Sequence, residues 1–225
     1  MVQSECIDEK RTSALLAELR RARAWLERWI GPHAAPGSFL GWGVPRRIRP
    51  GPSGPVRVDV VVLPAGDRCH ADRDGITVVA GHLDRHDATH ELVHYLAGSS
   101  WRPLDEGLAV YLTERLWGPL GGVPSKIRAR VFADLELAKD LDPEELRAGM
   151  SRRDYDIAGA FVGWLLEAYP REHFWELYCG PVRNYHGVYG RSEAALWARF
   201  WRYVRNLDVR DSSAYFAFKA RIARP

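Results

Sequence analysis

Two histidines four residues apart with a glutamate beside the first, His90-Glu91-Leu92-Val93-His94, hold the most specific chemistry in this chain. On a helix, side chains four apart lie one above the other on one face, so His90 and His94 can grip one ion together. Glu91 lies about 100° around the axis from His90 and about 60° from His94, from the 3.6-residue turn. Its carboxylate therefore stands beside a shared ion rather than on it, placed to take a proton from a water held there. Two neutral imidazoles and an adjacent carboxylate are the parts that zinc-assisted hydrolysis needs. The competing reading is a surface helix that happens to carry two histidines.

The elements around the motif must position it. Asp84 or Asp87 can cap a helix that Gly98 ends, with Leu92, Val93 and Leu96 as its apolar side and the histidines facing a cleft. A short link, residues 99–104, leads to a second helix read over Asp105–Leu116. Its Glu106, Ala109, Val110 and Thr113 share a face, and the small residues allow a close approach to the first helix. Glu106 could then be the third ligand that zinc requires, leaving a fourth position for water. An acid at a helix N-terminus is also favoured by the helix dipole alone, so spacing leaves both readings of Glu106 open.

Taken together, His90-Glu91-x-x-His94 and Trp101-x-x-Leu104-Asp105-Glu106-Gly107-Leu108-Ala109-x-Tyr111 resemble the gluzincin branch of the zincin metallopeptidases, and most of all the small peptidase-like domains with a W-L-x-E-G-L-A-x-Y second motif. The resemblance implies His90, His94 and Glu106 as zinc ligands and Glu91 as general base. Eleven residues separate His94 from Glu106, a shorter link than in the best-known gluzincins. It can still turn back, since helix–helix connections of two to eight residues are usual. Tyr155–Tyr169 is a helix with a dense apolar stripe and resembles the family's Y-x-x-x-G-x-F segment. In related aminopeptidases the tyrosine opening that helix stabilises the oxyanion, which implies such a role for Tyr155. A phenol donor suits an oxygen on which charge develops, while a structural hydrogen bond is the other reading. Glu193–Leu207 resembles the family's closing helix, so the likeness extends over roughly residues 56–205.

The chain before the motif supplies a long amphipathic helix from Thr12 to Ile30, with Leu15, Leu16, Leu19, Ala22 and Leu26 at three- and four-residue steps. Thr12 or Ser13 can cap it and Gly31-Pro32 stops it; a basic membrane-surface helix is the alternative to one packed on a sheet. Residues 31–55 read as Gly/Pro-rich loop. Val56–Leu63 and Ile76–Ala80 read as strands, joined by a loop or hairpin tip over 64–75. Stretches 116–126 and 178–192 read as loops. The second of these holds Arg183, Asn184, Tyr185, His186 and Tyr189, a mix that suits gripping a carboxylate and equally suits a solvent-facing loop. In the last helix Leu196, Trp197, Phe200 and Trp201 alternate with arginines, for which core packing is a better account than nucleic-acid stacking.

At 225 residues, 46% hydrophobic and 27% charged, the composition is that of an ordinary globular protein. A net charge of +3 argues against nucleic acid as partner, and no apolar run is long enough for a membrane span. Without a signal-peptide core at its start, the chain as given reads as cytoplasmic. Cys6, Cys69 and Cys179 form no C-x-x-C pair, which argues against disulfides and a thiolate metal site; Cys69-His70 is the nearest to a second metal group. His82 and His86 continue the four-residue ladder, with His86 read as exposed or supporting. Asp87 and Asp105 are candidates to orient a ligand imidazole.

The expected fold is α+β and zincin-like: an N-terminal α/β lobe over residues 1–98 with a small sheet, ending in the active-site helix, and a helical C-terminal lobe over 99–225, forming one catalytic domain. The expected function is a zinc-dependent metallopeptidase acting on a peptide or protein substrate, Zn2+ its cofactor. The rivals are a zinc-binding regulatory or sensor domain without turnover, a metal-free helical interaction protein, and a hydrolase of non-peptide amides.

Overall fold

The computed structural model describes residues 9–33, 59–63, 69–72, 75–79, 84–98, 101–138, 146 and 150–224. The chain falls into two units, Met1–Ser100 and Trp101–Pro225. Helices dominate, with one small sheet, so the class is α+β.

In the first unit, helix α1 (Glu9–Ile30) buries Leu15, Leu19, Ala22, Leu26 and Ile30, the stripe that its periodicity sets out, and packs against α2 (Arg85–Ala97). It starts a turn earlier than Thr12, since Glu9, Lys10 and Arg11 are good helix formers and Glu9 suits the positive end of the dipole. Thr12 and Ser13 are therefore interior rather than caps. A 3-10 turn at Gly31–His33 ends the run.

Strands β1 (Asp59–Leu63), β2 (His70–Ala71) and β3 (Gly75–Val79) form a sheet in the order β1-β3-β2. β1 runs parallel to β3 with Asp59 opposite Gly75 and Leu63 opposite Val79. That corrects the hairpin reading of 64–75: strands joined by a tight tip are antiparallel. The antiparallel partner of β3 is β2, tied to it by the Asp72 N–H donating to the Gly75 carbonyl at 3.0 Å and the Gly75 N–H donating to Asp72 Oδ1 at 3.0 Å. β3 lies between two strands and buries Ile76, Val78 and Val79, with Thr77 half-buried between them. Residues 56–58 and Ala80, read as strand ends, the loop read over 34–55, and the link residues Ser99 and Ser100 lie outside the described residues.

The second unit is helical: α3 (Arg102–Trp117), α4 (Ser125–Asp134), α5 (Arg152–Ala168), α6 (Arg171–Cys179), α7 (Tyr185–Tyr189), α8 (Glu193–Arg205) and α9 (Ser213–Ile222). Its main packing is α3 against α5, which glycines on both helices permit. A Cβ on Gly107 would meet the Ala158 carbonyl oxygen at 2.5 Å and Val162 Cγ2 at 2.6 Å, while one on Gly159 would strike Val110. The glycine of the E-G-L-A motif is thus a packing requirement. Because the obstruction is backbone, Gly107→Ala is expected to lower stability by about 1–3 kcal/mol or more, read as an earlier urea midpoint; an unchanged midpoint contradicts this packing. Around α5, Phe161 stacks on Trp197 at 3.9 Å and meets Phe200 edge-on at 5.4 Å. Trp197 and Phe200 of α8 are therefore core, as their spacing indicates, whereas Trp201 and Tyr203 are half-buried.

Three readings change here. Helix α3 begins at Arg102 rather than Asp105, because Pro103 sits well in a first turn. Residues 125–126 are the start of α4, and 178–192 contains the end of α6 and all of α7. The Gly/Pro punctuation marks only the short stops between these helices.

Candidate metal centre

The histidines owe their placement to α2. Asp84 caps it, its Oδ1 accepting from the His86 N–H at 2.7 Å and the Asp87 N–H at 3.0 Å. At the other end Gly98, at φ 74, gives its N–H to the His94 carbonyl at 3.0 Å. The second half of the helix is buried around its whole circumference by Leu92, Val93, Tyr95, Leu96 and Ala97. His94 is consequently 4% exposed, whereas His90 and Glu91 are half-buried and reach the surface side.

The two imidazoles converge. His90 Nε2 and His94 Nε2 stand 3.1 Å apart, with the rings at 77° and centroids 4.8 Å apart. Zinc–nitrogen bonds of about 2.0–2.1 Å at a tetrahedral angle place two nitrogens about 3.3 Å from one another, so the pair is already at ligand spacing. Among the described residues one group of His, Cys, Asp and Glu can hold a metal ion: His90, His94 and Glu106, whose ligand atoms all lie within 4.8 Å of one another.

Glu106 is in the second turn of α3, not the first. The first-turn acid is Asp105, so attraction to the helix dipole accounts for Asp105 better than for Glu106. Glu106 is only 2% exposed, and burial of a carboxylate is costly unless donors or a cation answer its charge. Tyr155, in the first turn of α5, donates its hydroxyl to Glu106 Oε1 at 3.2 Å. The turn is held by a capping box in which the Ser151 N–H and hydroxyl both donate to Asp154, at 2.8 and 2.7 Å. Burial, and then the Glu106 charge, push the Tyr155 phenol above its usual range, so it stays protonated and remains a donor.

Sequence reading missed Arg102. Its guanidinium donates to the Tyr155 hydroxyl, so Arg102, Tyr155 and Glu106 form one hydrogen-bonded series. The signal was present: Arg102 precedes Glu106 by four residues and shares its helix face.

The other candidates are placed as follows. Asp105, fully buried, accepts from the buried Tyr178 hydroxyl, and Asp87 sits half-buried in the first turn of α2. His86 is half-buried beside the Asp84 cap, and His82 lies outside the described residues. Cys69 accepts from the Val79 N–H at 3.4 Å and burial raises its thiol pKa, so it serves the sheet; His70 is exposed in β2. Cys69 and Cys179 are free thiols, and Cys6 is outside the described residues. In the 178–192 stretch, Asn184 caps α7 and Tyr185 and Tyr189 are buried. Arg183 lies over the Trp101 ring at 4.5 Å, with Glu193 at 3.9 Å, and Asn184 and His186 are exposed.

No protein-family model, curated protein or solved structure matches this chain. No helix among the described residues is long and apolar enough to cross a membrane.

Proposed function

We propose that the chain is a zinc-dependent peptidase of zincin-like fold, gluzincin type, with His90, His94 and Glu106 as the residues that would hold the ion. The observation that carries this reading is the convergence of these three ligand atoms, two of them imidazole nitrogens 3.1 Å apart. Borderline-soft nitrogen with a single carboxylate is a donor set suited to zinc, whereas calcium and magnesium take oxygen shells. Bound there, zinc supplies Lewis acidity towards a carbonyl and towards water.

The protein's own groups then have distinct tasks. Glu91, half-buried and one residue beyond His90, is the base: it takes a proton from the attacking water and returns it to the leaving amine. Tyr155, kept protonated, donates its single O–H to Glu106 here; turned from that carboxylate, it would donate to the oxygen that gains charge, with Arg102 donating to the phenol oxygen. His90 and His94 owe their mutual spacing to one helical turn, so little reorganisation is needed to bind.

Elemental analysis of dialysed protein tests the centre. The expected result is one zinc per chain, with His94→Ala and Glu106→Ala each losing at least about tenfold in zinc affinity. Stoichiometric zinc with no turnover on a peptide library supports a regulatory zinc domain instead. Protein free of stoichiometric metal removes the proposal.

A further inference from the structure

Helix α8 has two different faces. Leu196, Trp197, Phe200 and Val204 enter the core, and the opposite side borders an open groove of about 710 Å³. Ala195 and Ala198 leave its floor low, while Arg199 and Arg202 rise beside them and Arg191 stands just before the helix. All three arginines are exposed. Several arginines elsewhere in the same unit are paired, among them Arg128 with Asp156 at 2.5 Å, Arg130 with Asp134 at 3.0 Å and Arg210 with Asp208 at 2.7 Å. Among the described residues Arg191, Arg199 and Arg202 have no carboxylate within ion-pair distance. Nor are they needed at the helix end, where the Arg130 guanidinium already reaches the carbonyls of Val204 and Leu207 at 3.3 and 3.2 Å.

We propose that this groove binds an acidic segment of a polypeptide partner through the guanidinia of Arg191, Arg199 and Arg202. Guanidinium is planar, permanently charged and matched to carboxylates in two-point contact, which distinguishes these residues from an array of lysines. From Ala195 to Asn206 the groove runs eleven residue steps, about 16 Å along the helix. An extended peptide covers that length with about five residues. The groove is open along its side, whereas small-molecule sites bury most of their ligand. Stacking of nucleic-acid bases is disfavoured because the indole of Trp164, which lines one wall, is 7% exposed and packed against Phe161 at 5.9 Å. Glu167 is close enough for its charge, after burial, to raise the Tyr203 phenol, but no acid is among the residues that line the groove.

The test is fluorescence anisotropy with a labelled peptide of alternating Glu and Ser, at low and at physiological salt. The full chain is expected to bind it, more weakly as salt rises. Arg199→Glu/Arg202→Glu is expected to lose on the order of tenfold or more in affinity, since like charges replace complementary ones. The control Arg20→Glu/Arg28→Glu, on exposed positions of α1, changes net charge equally and is expected to bind as the parent does. Circular dichroism verifies that each variant is folded. Equal binding by the α8 variant overturns the proposal, as does equal loss in the α1 control. Displacement by single-stranded DNA or inorganic tripolyphosphate at lower concentration than unlabelled peptide also overturns it, in favour of a phosphate ligand.

Discussion

Glu91→Gln protein is expected to bind zinc as the parent does and to hydrolyse peptides about 10²–10⁴-fold more slowly, the usual contribution of a general base. Gln matches Glu in size and in helix propensity, and position 91 is half-buried on a helix capped independently at Asp84 and Gly98. The substitution removes only the ability to take a proton. The ligand atoms of His90, His94 and Glu106 are untouched, so metal content isolates the chemical step from assembly of the centre. The measurement is turnover of a quenched fluorescent peptide library together with zinc per chain. Activity retained in the variant sinks the assignment of Glu91 as base. Zinc lost along with activity would reassign Glu91 to the centre itself.

Arg128→Leu is expected to produce the largest loss of stability, about 3–5 kcal/mol at neutral pH. Arg128 Nη1 meets Asp156 Oδ1 at 2.5 Å, with side chains 8% and 12% exposed, and Nη2 donates to the Leu120 carbonyl. The pair joins α4 to α5. Removing the guanidinium leaves a carboxylate buried without its cation. Burial already holds the Asp156 carboxyl above its ordinary range even with Arg128 beside it. A raised acid contributes stability that is complete below the unfolded pKa and is lost as pH rises through the folded one. The variant, lacking the cation that lowers this value, should therefore be closest to the parent in acid and furthest from it at neutral pH. Urea unfolding at both conditions checks the direction, and a deficit that grows on acidification contradicts it. Arg128→Leu/Asp156→Leu should recover most of the loss, because a buried pair replaced on both sides by apolar groups is often neutral.

The sequence was most legible where its signals are local. The long N-terminal helix was readable because its apolar stripe repeats within a few residues, and only its first turn was missed. The α2 boundaries were readable because Asp84 and Gly98 act on neighbouring backbone groups. Helix α4 was hidden by the glycines and prolines over residues 118–124, which mark a stop between two helices and were taken for a longer loop. Between the strands the sequence left a loop or a hairpin tip open, and parallel pairing excludes the hairpin. Two β-branched runs look the same whether they pair parallel or antiparallel, and only the folded sheet shows β3 parallel to β1 and antiparallel to β2.

By itself the sequence determined the histidine pair, its glutamate and the helix that spaces them, because one helical turn is a covalently local object. The resemblance names Glu106 and Tyr155, and tertiary structure decided that a Glu106 oxygen lies within 4.8 Å of both imidazoles and that Tyr155 donates to Glu106. Tyr155 reaches Glu106 across 49 positions of chain, and Arg128 reaches Asp156 across 28. Such contacts depend on how closely α3 and α5 approach, which Gly107 and Gly159 permit but no local pattern encodes. Burial then sets the ionisation of Tyr155 and Asp156, and burial is a property of the packed chain rather than of any residue within it.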